Sequence, residues 1–165
     1  MDVAAPTISL GEAMSATQLL WTTGGTATWF VMSGTVYEGS WAVSSGLISH
    51  NQTSWLETTV TGTGMLTYYW KVSSESGYDF LRFYIDGVEQ AGKISGETGW
   101  AQKTFPVGGG PHALRWNYTK DGSASSGSDC GWVDLVTFLK NPPSMTGALS
   151  MEGGRKNTAV TEDWP

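Results

Sequence analysis

The chain has 165 residues, enough for one domain with its own hydrophobic core and a short extension. Nine Lys and Arg residues against 15 Asp and Glu residues give a net charge of −6, which argues against nucleic acid as a partner. The single cysteine, Cys130, cannot form an internal disulfide, and the apolar runs are far shorter than the ~20 residues of a membrane helix, so no membrane insertion is expected.

Short alternating segments separated by Gly, Ser, Asn and Asp dominate the first half of the chain, and the 22 Gly and 9 Trp residues suit an all-β protein. Weak strands are predicted over residues 19–22 and 42–48. A third is marked by Leu56 and Val60 and ends at the turn over residues 62–64. Residues 66–72 form the clearest strand, with four apolar residues on its inward face: Leu66, Tyr68, Trp70 and Val72.

The second half continues the alternation. Residues 80–86 place Leu81, Phe83 and Ile85 inward, and the following Asp86-Gly87 pair predicts a hairpin turn with a returning strand over residues 88–94. Strands are also predicted over residues 112–118 and 132–138. About eight strands or more at this spacing indicate an all-β fold, an antiparallel β-sandwich in preference to a barrel.

Two polar loops and a change of composition complete the organisation. The loops over residues 73–79 and 121–129 each join two strong strands, so both are expected at one end of the sandwich. After Phe138 the Lys-Asn-Pro-Pro run over residues 140–143 breaks any strand. The sequence therefore predicts an N-terminal segment (1–10), a sandwich module (11–139) and a C-terminal tail or linker (140–165).

Three runs carry a resemblance: GTGMLTYYWKVSSESGYDFLRFYIDGV (62–88), LRWNYTKDGS (114–123) and SDCGWVD (128–134). Residues 11–139 resemble a repeat module of large bacterial secreted and surface proteins, where it accompanies peptidase, glycosidase and adhesin-like domains. That module is similar to the jelly-roll sandwiches of carbohydrate-binding modules and MAM adhesion domains. Leu135 departs from it, because an Asn is more usual there. The resemblance implies jelly-roll topology, secretion to the extracellular space or cell surface, and an accessory binding role.

Residues suited to catalysis are sparse. His50 and His112 are the only histidines and lie in separate turns, and no nucleophile elbow or phosphate loop is present. We therefore expect no catalytic residues, no enzyme activity and no cofactor. Asp134 alternates with Trp132 and Val136, so it is predicted to point inward and to need a cation, an arginine or backbone N–H groups. A structural calcium, often present near the last strand of jelly-roll carbohydrate modules, stays open as an alternative to a hydrogen-bonded Asp134.

The predicted ligand is a polysaccharide or cell-surface glycan, because sugar rings stack on exposed aromatic side chains beside polar groups. Strand phase assigns Trp21, Trp70, Trp116 and Trp132 to the core, whereas Trp29, Phe30 and Trp41 are harder to bury. The predicted site combines three aromatic residues with three hydrogen-bond acceptors: Trp55, Tyr78, Trp100, Glu75, Asp79 and Asp129. The alternative is that these aromatics cap the ends of the sandwich.

Two further hypotheses remain open. Five outward residues would form an aromatic and cationic face for an acidic glycan or a protein partner if their strands are neighbours: Tyr69, Lys71, Arg82, Tyr84 and Arg115. The alternative function is a structural subunit of an extracellular filament or surface layer. In that case the tail over residues 145–165 would mediate self-association by adding a strand to a neighbouring sheet.

Overall fold

A computed structural model describes residues 7–141 and shows two five-stranded antiparallel sheets. One short helix precedes ten strands: α1 Leu10–Ala13, β1 Trp21–Gly25, β2 Phe30–Met32, β3 Ala42–Ser44, β4 Thr53–Thr61, β5 Gly64–Ser73, β6 Phe80–Ile85, β7 Val88–Glu89, β8 Ala101–Val107, β9 Pro111–Thr119 and β10 Cys130–Lys140. Sheet A has the order β1-β4-β9-β6-β7 and sheet B the order β2-β3-β10-β5-β8. This confirms the predicted sandwich of jelly-roll type.

Two edge strands were not predicted from the sequence. β2 has only three residues, and β8 mixes polar residues with Phe105 and Pro106, which hides its alternation. A proline in a strand is tolerated at a sheet edge, where its missing N–H faces away from the ladder, and β8 is an edge strand of sheet B.

Aromatic and aliphatic residues of both sheets interlock in the core. The inward residues of β5 pack against those of β6 and β9, with the rings of Tyr68 and Trp116 meeting edge to face at 5.2 Å between centroids. The predicted inward residues of these strands are buried, except Ile85, which is half-buried against the same core. Trp29 also lies in the core, so the expectation that it is hard to bury is wrong. It directly precedes β2.

The predicted hairpin is present, with a shorter second strand. Asp86 and Gly87 have φ values of 51° and 78°, as a two-residue turn between twisted strands requires. β7 ends at Glu89, not at residue 94, and the chain then leaves the extended conformation, with a φ of 102° at Gly92. Ile94 then returns to sheet A through an isolated bridge with Leu81.

A β-bulge in β10 reverses the predicted orientation of its first half. The pairing with β5 runs to Asp134 opposite Tyr69 and resumes at Thr137 opposite Thr67. Leu135 takes a left-handed φ of 45° at this break. Val133 therefore faces the core, opposite Trp70, whereas Trp132 and Asp134 lie on the outer face of sheet B. The inward orientation expected for Trp132 and Asp134 is thus wrong, although both are buried.

The N-terminal part of the described chain covers one side of the sandwich. Ser9 and Glu12 cap α1 reciprocally, and the carbonyl of Met14 accepts a hydrogen bond from Val136 N at 3.0 Å. Within residues 7–141 no helix has the length and apolarity needed to cross a membrane. The tail on which the filament hypothesis depends (residues 145–165) lies outside the described residues, so that hypothesis and the predicted domain boundaries stay predictions.

Candidate functional site

The two polar loops meet at one end of the sandwich, where they are joined by a buried lysine. Lys120 Nζ donates to Asp79 Oδ2 at 2.9 Å, to Asp129 Oδ1 at 2.6 Å and to Ser125 Oγ at 3.0 Å. The second oxygen of Asp79 accepts from Asp121 N at 2.9 Å. The side chains of Lys120 and Asp79 are completely buried. Both oxygens of Asp79 are thus engaged within the protein, and the Asp129 oxygen that binds Lys120 also accepts from a tyrosine hydroxyl at 2.7 Å.

Glu75 and Tyr78 lie at the same end but are more accessible. Tyr78 is 60% exposed, and Glu75 is partly buried. Burial raises the pKa of Glu75, and the charges of Asp121 and Asp79 add to this effect. Carboxylate oxygens of Glu75, Asp79 and Asp121 lie within 4.8 Å of one another, and Glu75 Oε2 is shielded from solvent without a partner among the described residues. These three carboxylates are the group that could hold a cation here, although Asp79 is already bound to Lys120.

Trp55 is not part of this cluster but lies in β4, on the outer face of sheet A. It is paired with Asn117 on one side and Gly24 on the other. The indole lies directly over Gly24, where an added Cβ would overlap the ring. The Arg115 guanidinium stacks on the same indole, 4.2 Å from its centroid. Trp55 is therefore a half-buried aromatic at the border of a polar sheet face.

Beside Trp55 the outer face of sheet A forms a concave surface, here called the sheet A cleft. Its volume is about 420 Å³, and it is lined by six residues of β4, β6, β9 and the hairpin turn: Glu57, Tyr84, Gly87, Ala113, Arg115 and Asn117. Ala113 and Gly87 give the cleft its depth, because their side chains are small. Tyr84 and the Arg115–Glu57 ion pair stand beside them, with Arg115 Nε 2.7 Å from Glu57 Oε2.

Asn117 gives this cleft an unused hydrogen-bonding group. Its side-chain oxygen is shielded from solvent and has no partner among the described residues. Leaving a buried amide unpaired costs about 1–3 kcal/mol. Arg82, which pairs with Asn117 across the strands, does not donate to this oxygen, because its guanidinium binds Glu89 and the hydroxyl of Thr119. Because the oxygen is shielded, a molecule bound in the cleft would meet it only after the Asn117 side chain turns outward.

Trp100 belongs to the other sheet, at the start of β8. It adjoins a second aromatic group on the outer face of sheet B, here called the aromatic platform and defined by Tyr37, Tyr69 and Trp100. The rings of Tyr37 and Tyr69 stack with centroids 3.6 Å apart, and Trp100 lies tilted at 6.2 Å from Tyr37. The loop over residues 33–41 carries Tyr37 across the sheet.

Asp134 fixes this loop. Its Oδ2 accepts from the backbone N–H groups of Tyr37 at 2.9 Å and Glu38 at 3.1 Å, and its Oδ1 accepts from Leu135 N at 2.7 Å. Burial raises the pKa of Asp134, while these N–H groups act in the opposite direction. The sequence left a cation, an arginine or backbone N–H groups open as partners of Asp134. Among the described residues, backbone N–H groups fill this role.

The six predicted site residues consequently lie in three places. Glu75, Tyr78, Asp79 and Asp129 share the loop end, Trp55 borders the sheet A cleft, and Trp100 lies on sheet B. The five residues of the proposed aromatic and cationic face are also divided, since β5 and β6 belong to different sheets: Tyr69 and Lys71 on sheet B, and Arg82, Tyr84 and Arg115 on sheet A. The condition for a single face, that these strands are neighbours, is therefore not met.

Sequence reasoning named Tyr84 and Arg115 as outward residues but missed the contribution of Ala113 and Asn117 to the cleft. Asn117 and Ala113 alternate with core residues of β9, which indicates an outward position, but nothing in the pattern shows that the Asn117 side-chain oxygen lacks a partner among the described residues. Tyr37 lies in a loop without periodicity, and only its contact with Tyr69 reveals its position.

The chain matches no family model and no curated protein. Among solved structures, the secreted serine protease VesC from Vibrio cholerae is similar with a TM-score of 0.60 and 16% identity over 82% of this chain and 27% of that protein. The K1 adhesin domain of Lys-gingipain from Porphyromonas gingivalis W83 has a TM-score of 0.53 and 14% identity, covering 74% of this chain and 91% of that domain. The K2 adhesin domain of Lys-gingipain gives 0.51 and 17%, covering 72% and 89%. The resemblance to jelly-roll modules of surface proteins is thereby confirmed at the level of fold.

Proposed function

We propose that this domain is a non-catalytic module of a secreted or cell-surface protein that binds a glycan in the sheet A cleft. The observation that carries the proposal is the cleft in which Tyr84 lies beside Asn117, whose side-chain oxygen has no partner among the described residues. A sugar offers what this surface lacks, because its hydroxyl groups both donate and accept hydrogen bonds while its C–H face packs on an aromatic ring. The similarity to adhesin domains supports the fold in which such a site would be presented.

The charges of the cleft favour a neutral glycan. Arg115 is paired with Glu57 and stacked on Trp55, and Arg82 is paired with Glu89 at 2.6 Å. An acidic sugar would have to compete with these carboxylates for the guanidinium groups. A neutral sugar can instead use the remaining lone pairs of Glu57 and the Asn117 amide without breaking an ion pair.

The loop end is a weaker candidate for the same ligand. Asp79 is buried with both oxygens occupied, so it cannot accept from a sugar hydroxyl unless Lys120 or Asp121 moves. Tyr78 is exposed there but has no aromatic neighbour among the described residues. Trp55 contributes to the proposed site at its border, whereas Tyr78, Glu75, Asp79 and Asp129 do not.

The proposal that the module is non-catalytic rests on the hydrogen bonds of His112, the histidine that most resembles a catalytic base. His112 contacts Asp86 through Nδ1 at 2.6 Å, which resembles two members of a catalytic triad, but Nε2 lies 3.0 Å from the carbonyl of Gly109. The nitrogen that would activate a nucleophile is thus occupied by the backbone. We assign this pair a structural role, bracing the turn between β6 and β7.

Retention on polysaccharides in native affinity gels tests the proposal, with β-1,4-galactan, xylan and mixed-linkage β-glucan as probes beside a glycan array. Tyr84→Ala and Asn117→Ala should weaken retention of the wild type by about tenfold, as expected for an anchoring aromatic and a buried polar contact. Tyr78→Ala is the matched control, an exposed tyrosine at the loop end. Loss of binding with Tyr78→Ala but not with Tyr84→Ala would place the site at the loop end and refute the cleft.

A further inference from the structure

The aromatic platform on sheet B has the features of a binding surface in its own right. Tyr37 is 43% exposed although its ring is stacked on Tyr69, and Trp41, which ends the same loop, is 40% exposed. Phe30 on the adjoining edge strand is 46% exposed. These three exposed aromatic residues come from one stretch of chain, residues 30–41.

The platform is held rigidly. Its loop is bound through two backbone N–H groups to the buried carboxylate of Asp134, whose orientation depends on the bulge at Leu135. On the same face Trp132 Nε1 lies 2.8 Å from the sulfur of Met32, which ties the edge strand β2 to β10. A loop that merely covered the sheet would bury its tyrosine. Here a buried carboxylate orders a loop that presents its tyrosine to solvent, and such ordering lowers the entropic cost of binding.

The charges near the platform point to an uncharged partner. Lys71 and Glu38 carry opposite charges, and Lys71 Nζ is engaged by the carbonyl of Thr98 at 2.7 Å. Gln102, opposite Tyr69, supplies an exposed neutral amide. Stacked rings with a neutral hydrogen-bonding group and balanced charge complement the flat C–H face and hydroxyls of a neutral pyranose chain.

We propose that the aromatic platform is a second glycan-binding surface and that the module is bivalent. The inference rests on the proposed function, because it assigns the same class of ligand to both faces. Sheets A and B pack face to face, so the cleft and the platform look in opposite directions and one short oligosaccharide cannot occupy both. Two separate polysaccharide chains can be held at once, which makes the module a cross-linker.

Affinity electrophoresis and turbidity with the polysaccharide that retains the wild type test this inference. Tyr37→Ala and Trp100→Ala should each weaken retention by about tenfold, and Tyr37→Phe, which keeps the stacked ring, should change it little. Wild type should cross-link a high-molecular-weight polysaccharide into a turbid network. Tyr37→Ala and Tyr84→Ala should each still bind but no longer cross-link, and the double variant should lose retention. Melting temperatures within a few degrees of wild type establish that the variants are folded.

The outcomes separate the two proposals. If Tyr84→Ala weakens binding while both platform variants bind and cross-link like wild type, the second surface is refuted and the cleft stands. If wild type is retained by no polysaccharide and by no glycan on the array, both proposals fail. If sedimentation shows a wild-type dimer that Tyr37→Ala dissociates, the platform is an interface between copies of the chain and the second glycan surface is refuted.

Discussion

Replacing Lys120 by methionine tests whether the loop end is a structural centre. The substitution removes the ammonium group that Asp79 and Asp129 share, while keeping a flexible side chain of similar length. Lys120 and Asp79 have completely buried side chains, whereas that of Asp129 is 22% exposed. Removing one partner of a buried ion pair costs about 3–5 kcal/mol because a charge is left without compensation. Water can reach Asp129, so most of the cost arises at Asp79, and we expect a loss of about 3–4 kcal/mol.

Urea unfolding followed by tryptophan fluorescence measures this loss, with an unchanged m-value as the criterion for a comparable transition. For a domain of this size the melting temperature should fall by about 10–15 °C. Lys140→Met, at an exposed lysine near the opposite end, is the matched control and should change stability by less than about 0.5 kcal/mol.

A triple variant sharpens the test. Adding Asp79→Asn and Asp129→Asn to Lys120→Met removes the uncompensated charges, so part of the lost stability should return. A loss below about 1 kcal/mol for Lys120→Met would refute the structural reading of this centre. So would a triple variant that is less stable than Lys120→Met alone.

Three further predictions concern stability. Asp134→Ala should lower the free energy of unfolding by about 1–3 kcal/mol, because three backbone N–H groups lose their acceptor. EDTA should leave the melting temperature of wild type unchanged. A drop of several degrees with EDTA would restore the calcium alternative. The hydrogen bond to Asp86 raises the pKa of His112, so the stability it contributes is complete below the unfolded-state pKa of about 6.5 and is lost as pH rises through the folded-state value. The melting temperature of wild type should therefore decline over this range more steeply than that of His112→Gln, and equal slopes would contradict the assignment. Leu135→Asn should raise the free energy of unfolding, measured by chemical denaturation, by up to about 1 kcal/mol, because Asn tolerates the left-handed φ of 45° better than Leu. A loss of more than about 1 kcal/mol would show that the packing of Leu135 outweighs the backbone strain.

The candidate sites depended on pairings that the sequence does not encode locally. Strand phase placed Tyr69 and Tyr84 outward correctly, but it could not show that β5 and β6 lie in opposite sheets, because sheet membership is decided by long-range pairing. Composition suggested that Asp79 was a polar loop residue open to ligand. The structure buries it, since Lys120 at the end of β9 reaches it across the loop.

The sequence by itself determined the fold class, most strands, the hairpin turn at Asp86 and the core faces of β5, β6 and β9, because alternation and turn chemistry are local properties of the chain. Tertiary structure decided the rest. The bulge at Leu135 moved Asp134 from the expected core face to the outer face of sheet B, where it holds the loop of Tyr37. A shift of one residue reverses every following side chain in a strand, and no local pattern records that shift until the neighbouring strand fixes the register.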